Sequence, residues 1–256
     1  MSIENQSKIN QLLSIAPKGV VLTSSWLLEK GYSLQLQDRY KKSQWFKSFG
    51  RGALIRNKDT VDYLGAIQTL QEQLNLSVHP AAKTALILQG KSHYLEFSTQ
   101  KVQLFSTPSE VLPSWFKKHD WNVKLESNVT SFLPADIGMV EYQHKSFSLK
   151  ISSPARAIME CLYLAPNDQP LLEVYELLEG LNNIRPATAQ KLLESCSSVK
   201  VKRLFLYMAD KAGHDWLTYI NLDKIDLGKG KRQIVADGVY IPNYKITVPK
   251  ELDKHI

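Results

Sequence analysis

Residues 20–56 read VVLTSSWLLEKGYSLQLQDRYKKSQWFKSFGRGALIR. Val20 to Leu22 is a short apolar run. Thr23 or Ser24 can cap a helix whose apolar face holds Trp26, Leu27 and Leu28. Gly31 is placed to end it, because glycine takes the left-handed conformation past a helix C-terminus without a Cβ clash. Ser33 then starts a second helix in which Leu36 and Tyr40, four apart, share a face. Gln35, Gln37, Asp38, Arg39, Lys41 and Lys42 are left outside it. Trp45, Phe46 and Phe49 follow, then Gly50-Arg51-Gly52 as a turn and Ala53-Leu54-Ile55 as a strand. Helix, tight turn, helix and a glycine-turned hairpin is the order of a winged helix-turn-helix.

Charge follows the same stretch. Residues 39–58 hold seven basic side chains and no acid: Arg39, Lys41, Lys42, Lys47, Arg51, Arg56 and Lys58. Of the formal net charge of +7, residues 1–95 carry +6 and the rest +1. Charge runs are often no more than a solvated face. Here the run coincides with a glutamine-bearing helix and a turned hairpin, so double-stranded DNA is the expected partner. Gln35, Gln37 and Arg39 have the amide and guanidinium groups that match purine edges in the major groove. Lys41, Lys42, Lys47, Arg51 and Arg56 are expected on phosphates or in the adjacent minor groove.

Outward from this stretch, 256 residues suffice for one large or two modest domains. An apolar content of 43% supports real cores, and 22% charge argues against disorder. The start, MSIENQSKINQ, is polar and shows no signal region, and no apolar run reaches membrane-span length. A cytoplasmic location with no membrane partner is expected. Cys161 and Cys196 sit in apolar helical settings and read as buried thiols.

A short helix is expected over residues 7–16, stopped by Pro17, and another from Asn57 or Asp59 carrying Val61, Leu64, Ile67, Leu70 and Leu74. A short helix over 80–89 ends at Gly90. Period two then replaces helical spacing at Val102–Phe105, Trp121–Leu125 and Phe147–Ile151, so residues 92–151 read as sheet-rich. A domain boundary is expected near residue 95, giving 1–95 and 96–256. Ser153-Pro154 starts a helix, and three more follow, around Leu171–Leu178, after Arg185-Pro186, and over Val199–Lys211. Tyr219-Ile220, Ile234-Val235 and Ile246-Thr247-Val248 read as strands. The fold class expected is α+β, an N-terminal winged helix-turn-helix followed by a mixed α/β domain.

Catalytic chemistry finds no constellation. His79, His93, His119, His144, His214 and His255 are scattered, with no metal-ligand spacing and no cysteine pair. The loop Gly228-Lys229-Gly230-Lys231-Arg232 lacks the Gly-Lys-Ser/Thr of a phosphate loop and reads as a basic hairpin loop. No acid is followed two residues later by lysine, the pair that metal-dependent nucleases often use, and no nucleophile elbow occurs. No enzyme activity, metal or cofactor is expected. A second basic group, Lys200, Lys202, Arg203, Lys229, Lys231 and Arg232, is a possible contact for flanking DNA or an acidic partner. Solvation of helix ends and loops explains it equally well.

The order of these features resembles the AbiEi family of antitoxins from type IV toxin–antitoxin and phage-defence systems. The residues that carry the resemblance are Tyr40 to Phe46, Phe49 to Gly52, His79 with Ala85-Leu86 and Gly90, Ser153 to Ala157, Lys202 to Leu206, Gly228 to Arg232, and Tyr244 to Pro249. The family usually has glycine where Gln44 stands. The resemblance implies an N-terminal winged helix that binds inverted repeats in its own promoter and represses it. It also implies a C-terminal domain that counters a nucleotidyltransferase-like toxin without holding it in a stable complex. It gives the second basic group a role in DNA contact. A ligand-responsive winged-helix regulator without a toxin partner, and a nucleic-acid enzyme docked by the winged helix, are the other readings of the same residues.

Overall fold

The computed structural model describes residues 7–91 and 101–254. The expected boundary near residue 95, His93 and His255 lie outside the described residues. The chain opens with α1 (Lys8–Ile15), β1 (Leu22–Thr23), α2 (Ser24–Glu29), α3 (Leu34–Lys42), β2 (Phe46–Gly50), β3 (Ala53–Arg56) and α4 (Tyr63–Leu74). The caps explain the helix bounds. Thr23 Oγ1 accepts from the Trp26 amide and Ser33 Oγ from the Leu36 amide. Gly31 takes φ +82° between α2 and α3. The helix expected from Asn57 or Asp59 starts later, because Asp62 is the cap that accepts the Gly65 amide, while the Asp59 carboxylate accepts the Gly19 amide at 2.8 Å.

There follow β4 (His79–Pro80), α5 (Ala82–Leu88), β5 (Lys101–Ser106), α6 (Ser114–Lys118), β6 (Lys124–Val129), β7 (Met139–His144) and β8 (Phe147–Ser152). Then come α7 (Pro154–Leu164), α8 (Leu171–Glu179), α9 (Pro186–Ser195), α10 (Val199–Lys211), β9 (Arg232–Gln233), β10 (Val239–Ile241), β11 (Ile246–Val248) and α11 (Lys250–Lys254). The alternation at 121–125 does not make a strand from its start. Asn122 turns at φ +54°, and pairing begins at Lys124. Tyr219 ends a 3-10 turn, Asp215–Tyr219, rather than starting a strand, and the expected strand at Ile234-Val235 falls two residues earlier.

The architecture is α+β with small sheets. Two compact units form, and neither is one continuous stretch. The first takes the chain through Val78 together with Ser109–Val123 and Glu141–Lys150. The second takes His79–Pro108, Lys124–Val140 and the chain from Ile151. The β7–β8 hairpin is thus divided between them.

In the first unit the sheet order is β1-β3-β2, antiparallel throughout. The two-residue β1 has its free edge satisfied by side chains of α4: Thr69 Oγ1 donates to Val21 O and accepts from Val21 N, while Gln73 bonds Val21 O and Thr23 N. Unpaired edge groups in a buried setting would cost stability, and these four bonds remove that cost. Leu64, Ala66, Ile67 and Leu70 of α4 are buried. Trp115, Phe116 and Trp121 pack edge-on and tilted with one another, and Phe49 of β2 joins them 6.1 Å from Trp115 and 5.9 Å from Trp121. A Cβ on Gly50 would lie 2.7 Å from Trp115 Cβ, so the hairpin requires glycine there.

In the second unit β4 is antiparallel to β5 and β5 parallel to β6. Helix α7 has an almost wholly buried surface, as expected for a helix packed on all sides, here by α5, α8, α9 and α10. One carboxylate ties its start to its neighbours. Glu160 accepts from Arg156 Nε at 2.8 Å, Ser152 Oγ at 2.7 Å and the Ala82 amide at 2.9 Å, and meets His79 Nε2 at 3.2 Å. Burial alone would raise its carboxyl; the His79 bond, the nearby charges of His79 and Arg156 and the Ala82 amide outweigh that and hold it below its ordinary value. Cys161 and Cys196 are buried free thiols, both pushed up by burial.

Candidate nucleic-acid interface

Helix α3 divides its side chains sharply. Tyr40 and Gln37 are buried and Leu36 half-buried, while Gln35, Asp38, Arg39, Lys41 and Lys42 are exposed. Gln37 corrects the sequence reading. It is 4% exposed, and its amide donates to Tyr32 O at 2.9 Å and Ser24 O at 3.4 Å. The side chain closes the corner between α2 and α3 and has no reach to a base. Gln35 and Arg39, four apart, stay on the open face with Lys42.

After α3 the chain reverses at Gln44, with φ +58°. That is the left-handed conformation glycine would take without strain, so the turn keeps its shape despite the glutamine. Trp45 stands 47% exposed beside it. In the hairpin Phe46 points into the core and Lys47, opposite Ile55, is exposed, as alternation in a strand requires. Arg51-Gly52 forms the tip, with Gly52 at φ +71° and Arg51 exposed.

Arg56 is the second correction. Its Nη2 donates to Leu13 O at 2.7 Å and also to Ala16 O, the last carbonyls of α1. Burial lowers its guanidinium below the ordinary value. A cation at a helix C-terminus is favourable, so Arg56 holds α1 on the module and is spent before any DNA arrives. Asp38, which the base-contact reading passed over, pairs with Lys41 at 2.6 Å. The i,i+3 spacing was the available signal. The Lys41 bond holds the Asp38 carboxyl below its ordinary value. What remains exposed is Gln35, Arg39, Lys41, Lys42, Lys47 and Arg51. Lys58, which the sequence reading counted in the basic run without giving it a contact, is exposed too. Such a set can neutralise phosphates and offer an amide and a guanidinium to base edges.

The second basic group splits in two. Arg203 is 1% exposed and its guanidinium bonds four carbonyls: Leu227 at 2.8 Å, Gly230 at 2.8 Å, Lys245 at 3.0 Å and Gly228 at 3.0 Å. Lys202 is 4% exposed. Lys200 Nζ donates to Tyr163 O at 2.8 Å and Ala165 O at 2.5 Å, and burial lowers its ammonium. These three are structural, set inward because α10 is buried over Val201–Ala209. Lys229, Lys231 and Arg232 are exposed on the loop that Arg203 organises, with Lys231 Nζ 4.8 Å from the Tyr240 ring. Among the described residues, no group of three or more His, Cys, Asp or Glu side chains is placed to hold a metal ion, and no helix is long and apolar enough to cross a membrane.

The crystal structure of the RV2827C protein from Mycobacterium tuberculosis is similar in fold, with a TM-score of 0.52 over 89% of this chain and 85% of that one, at 12% identity. No curated protein matches. The family model described as "Transcriptional regulator, AbiEi antitoxin N-terminal domain" matches residues 5–97. The model described as "Transcriptional regulator, AbiEi antitoxin, Type IV TA system" matches residues 99–249. With both models matched along nearly its whole length, the chain belongs to the AbiEi family of transcriptional regulators, the antitoxins of type IV toxin–antitoxin systems.

Proposed function

We propose that α1–α3 with the β2–β3 hairpin work as a winged helix-turn-helix that binds inverted repeats in the protein's own promoter and represses it. On this reading α3 enters the major groove with Gln35 and Arg39 toward base edges. Lys41, Lys42, Lys47 and Arg51 lie on phosphates, with the hairpin tip as the wing. The observation that carries it is the separation on one small module: the inward side chains of Gln37 and Arg56 donate to backbone carbonyls, while the outward cations of α3 and the hairpin stay exposed. The remaining residues, centred on α7 and α10, counter a nucleotidyltransferase-like toxin in the cytoplasm without a stable complex and without catalysis. Lys229, Lys231 and Arg232 add a second contact to flanking DNA. The second assignment rests on family membership and the first on the module's geometry.

The test uses the full-length protein and a fragment of its promoter in a mobility-shift titration, alongside co-expression with the adjacent reading frame. Saturable binding that Lys42→Ala with Lys47→Ala weakens at least about tenfold, and rescue from a toxic neighbour, are the expected results. Unchanged binding by that double variant would remove the interface. A neighbour that is harmless when expressed alone would remove the antitoxin role.

A further inference from the structure

The second unit contains a cleft of about 570 Å³ that the DNA reading does not use. It lies between the loop from Asp136 to Val140, the start of α7 at Ser153-Pro154-Ala155, and α9 with the residues before it. Its volume falls in the range of small-molecule sites, roughly 300–1,000 Å³. We infer that this cleft binds a small phosphorylated molecule bearing free hydroxyls, of the size of a sugar phosphate or nucleoside monophosphate.

Three observations converge. The first is charge. Arg185, Thr188 and Lys191 recur three apart and line the cleft from α9. Both cations are exposed, and neither forms an ion pair or side-chain hydrogen bond with a described residue. That contrasts with Arg56, Arg156, Arg203 and Lys200, each committed to carbonyls or a carboxylate.

The second is that the wall opposite α9 is built and rigid without a ligand. Gly138 takes φ +73°, and a Cβ there would sit 3.0 Å from Leu192 Cδ1 and 3.2 Å from Arg156 Cβ. Its carbonyl accepts the Ser153 amide at 2.8 Å. Arg156 Nη1 clamps the same loop by donating to Pro134 O and Ile137 O, each at 2.6 Å. Glu160 fixes Arg156 from behind. A site whose shape is already set loses less entropy when a ligand enters.

The third is the donor set. Ser153 Oγ accepts from the Arg156 amide, which leaves its hydroxyl proton unengaged. The start of α7 at Ser153-Pro154-Ala155 and the cap of α9 at Arg185 line this space, the helix ends at which an anion is favoured. Asp136 is the one acid in the lining. It repels a bare anion but accepts from a hydroxyl, so the ligand carries phosphate and hydroxyls on one scaffold.

The experiment is calorimetric titration of the full-length protein at low ionic strength with inorganic phosphate and with ribose 5-phosphate, each against a chloride-matched blank. Ribose 5-phosphate is expected to bind the tighter of the two. Arg185→Ala with Lys191→Ala should weaken both probes at least about tenfold without moving the unfolding midpoint. Asp136→Asn should weaken ribose 5-phosphate and leave inorganic phosphate as tight or tighter. Lys229→Ala with Lys231→Ala is the surface-charge control and should change neither. No saturable binding of either probe, equal affinity in the Arg185/Lys191 variant, or equal loss in the control would each overturn the inference. So would a variant that leaves both probes unaffected but weakens promoter DNA, because the two cations would then serve the DNA backbone. Promoter binding by the unaltered protein is measured separately, so the DNA reading stands or falls on its own result.

Discussion

Lys47 of β2 and Arg56 of β3 belong to one hairpin and share a charge, yet Lys47 is exposed while Arg56 is bonded to the end of α1, and substitution separates the two. Arg56 donates two hydrogen bonds to the end of α1. Arg56→Ala leaves those carbonyls without their cation and should cost about 2 kcal/mol of stability, the worth of hydrogen bonds to a charged group. Lys47 touches nothing that needs it, so Lys47→Ala should leave the unfolding midpoint unchanged. On DNA the order reverses. With Lys41, Lys42, Lys47 and Arg51 on phosphates, log K should fall with log salt at a slope of about −3.6 for one module. Raising salt from about 50 to 200 mM then weakens binding about 150-fold. Lys47→Ala should bring the slope to about −2.7 and the loss to about 40-fold. Arg56→Ala, measured at a temperature where it is fully folded, should keep the original slope. The assay is fluorescence anisotropy with a labelled promoter fragment over a salt series, paired with urea unfolding. An Arg56→Ala protein of normal stability whose slope drops as much as that of Lys47→Ala would place Arg56 on the DNA and refute the assignment.

Gln37→Leu should lower stability by about 1–3 kcal/mol and leave promoter sequence preference intact, whereas Gln35→Ala should do the opposite, read by unfolding and by competition with mutated operators. Gln44→Gly should stabilise the protein by about 1 kcal/mol in denaturant titration, since it relieves a left-handed conformation. Glu160→Gln should cost about 3–5 kcal/mol near neutral pH, because Arg156 and His79 lose a buried charge partner. The native carboxyl is lowered, so its contribution is complete above the ordinary carboxylate range and is lost as pH falls through the native value; the variant's deficit should therefore shrink in acid unfolding curves. A fragment of residues 96–256 should be insoluble or molten by near-ultraviolet circular dichroism and light scattering, because Trp115, Phe116, Trp121, Phe147 and Leu149 are core residues of the unit that the cut removes. A soluble, cooperatively unfolding fragment would contradict that.

Local signals were legible in the sequence wherever a single side chain decides the outcome. Thr23 and Ser33 as caps, Gly31 as the reversal and Ser153-Pro154 as a helix start need only neighbours three residues away, and each was readable from residue type. Period two placed β5 and β8 for the same reason. The interleaving of the two units was not legible. Alternation at Trp121-Asn122-Val123 satisfies a strand pattern, but Trp121 instead packs with Phe49, which lies over seventy positions earlier, and no periodicity encodes that partner. A boundary argued from composition assumes that each unit is one stretch of chain. Here 109–123 and 141–150 belong with the N-terminal elements.

The basic residues show where charge counting loses information. A run of lysines and arginines fixes net charge, but a guanidinium with five donors is also the best available partner for orphan carbonyls. Which role it takes depends on what it packs against. Arg203 sits within Val201-Lys202-Arg203-Leu204-Phe205 on a helix buried on every side, and its only outlet is the cluster of loop carbonyls beneath it. Arg56 ends β3 after Ala53-Leu54-Ile55, all buried, and meets the end of α1. Arg51, Lys229 and Lys231 stand beside glycines in turns, and their side chains are exposed; the carbonyls of Gly228 and Gly230 are already taken by Arg203. Arg56 and Arg203, set among buried apolar residues, are thus spent inside the fold, while Arg51, Lys229 and Lys231 stay exposed. In α9 the sequence neighbours do not decide it: Arg185 follows buried Ile184 and Lys191 precedes buried Leu192 and Leu193, yet both side chains are exposed. Charge alone therefore does not say which of these cations stays exposed; the groups each one packs against do.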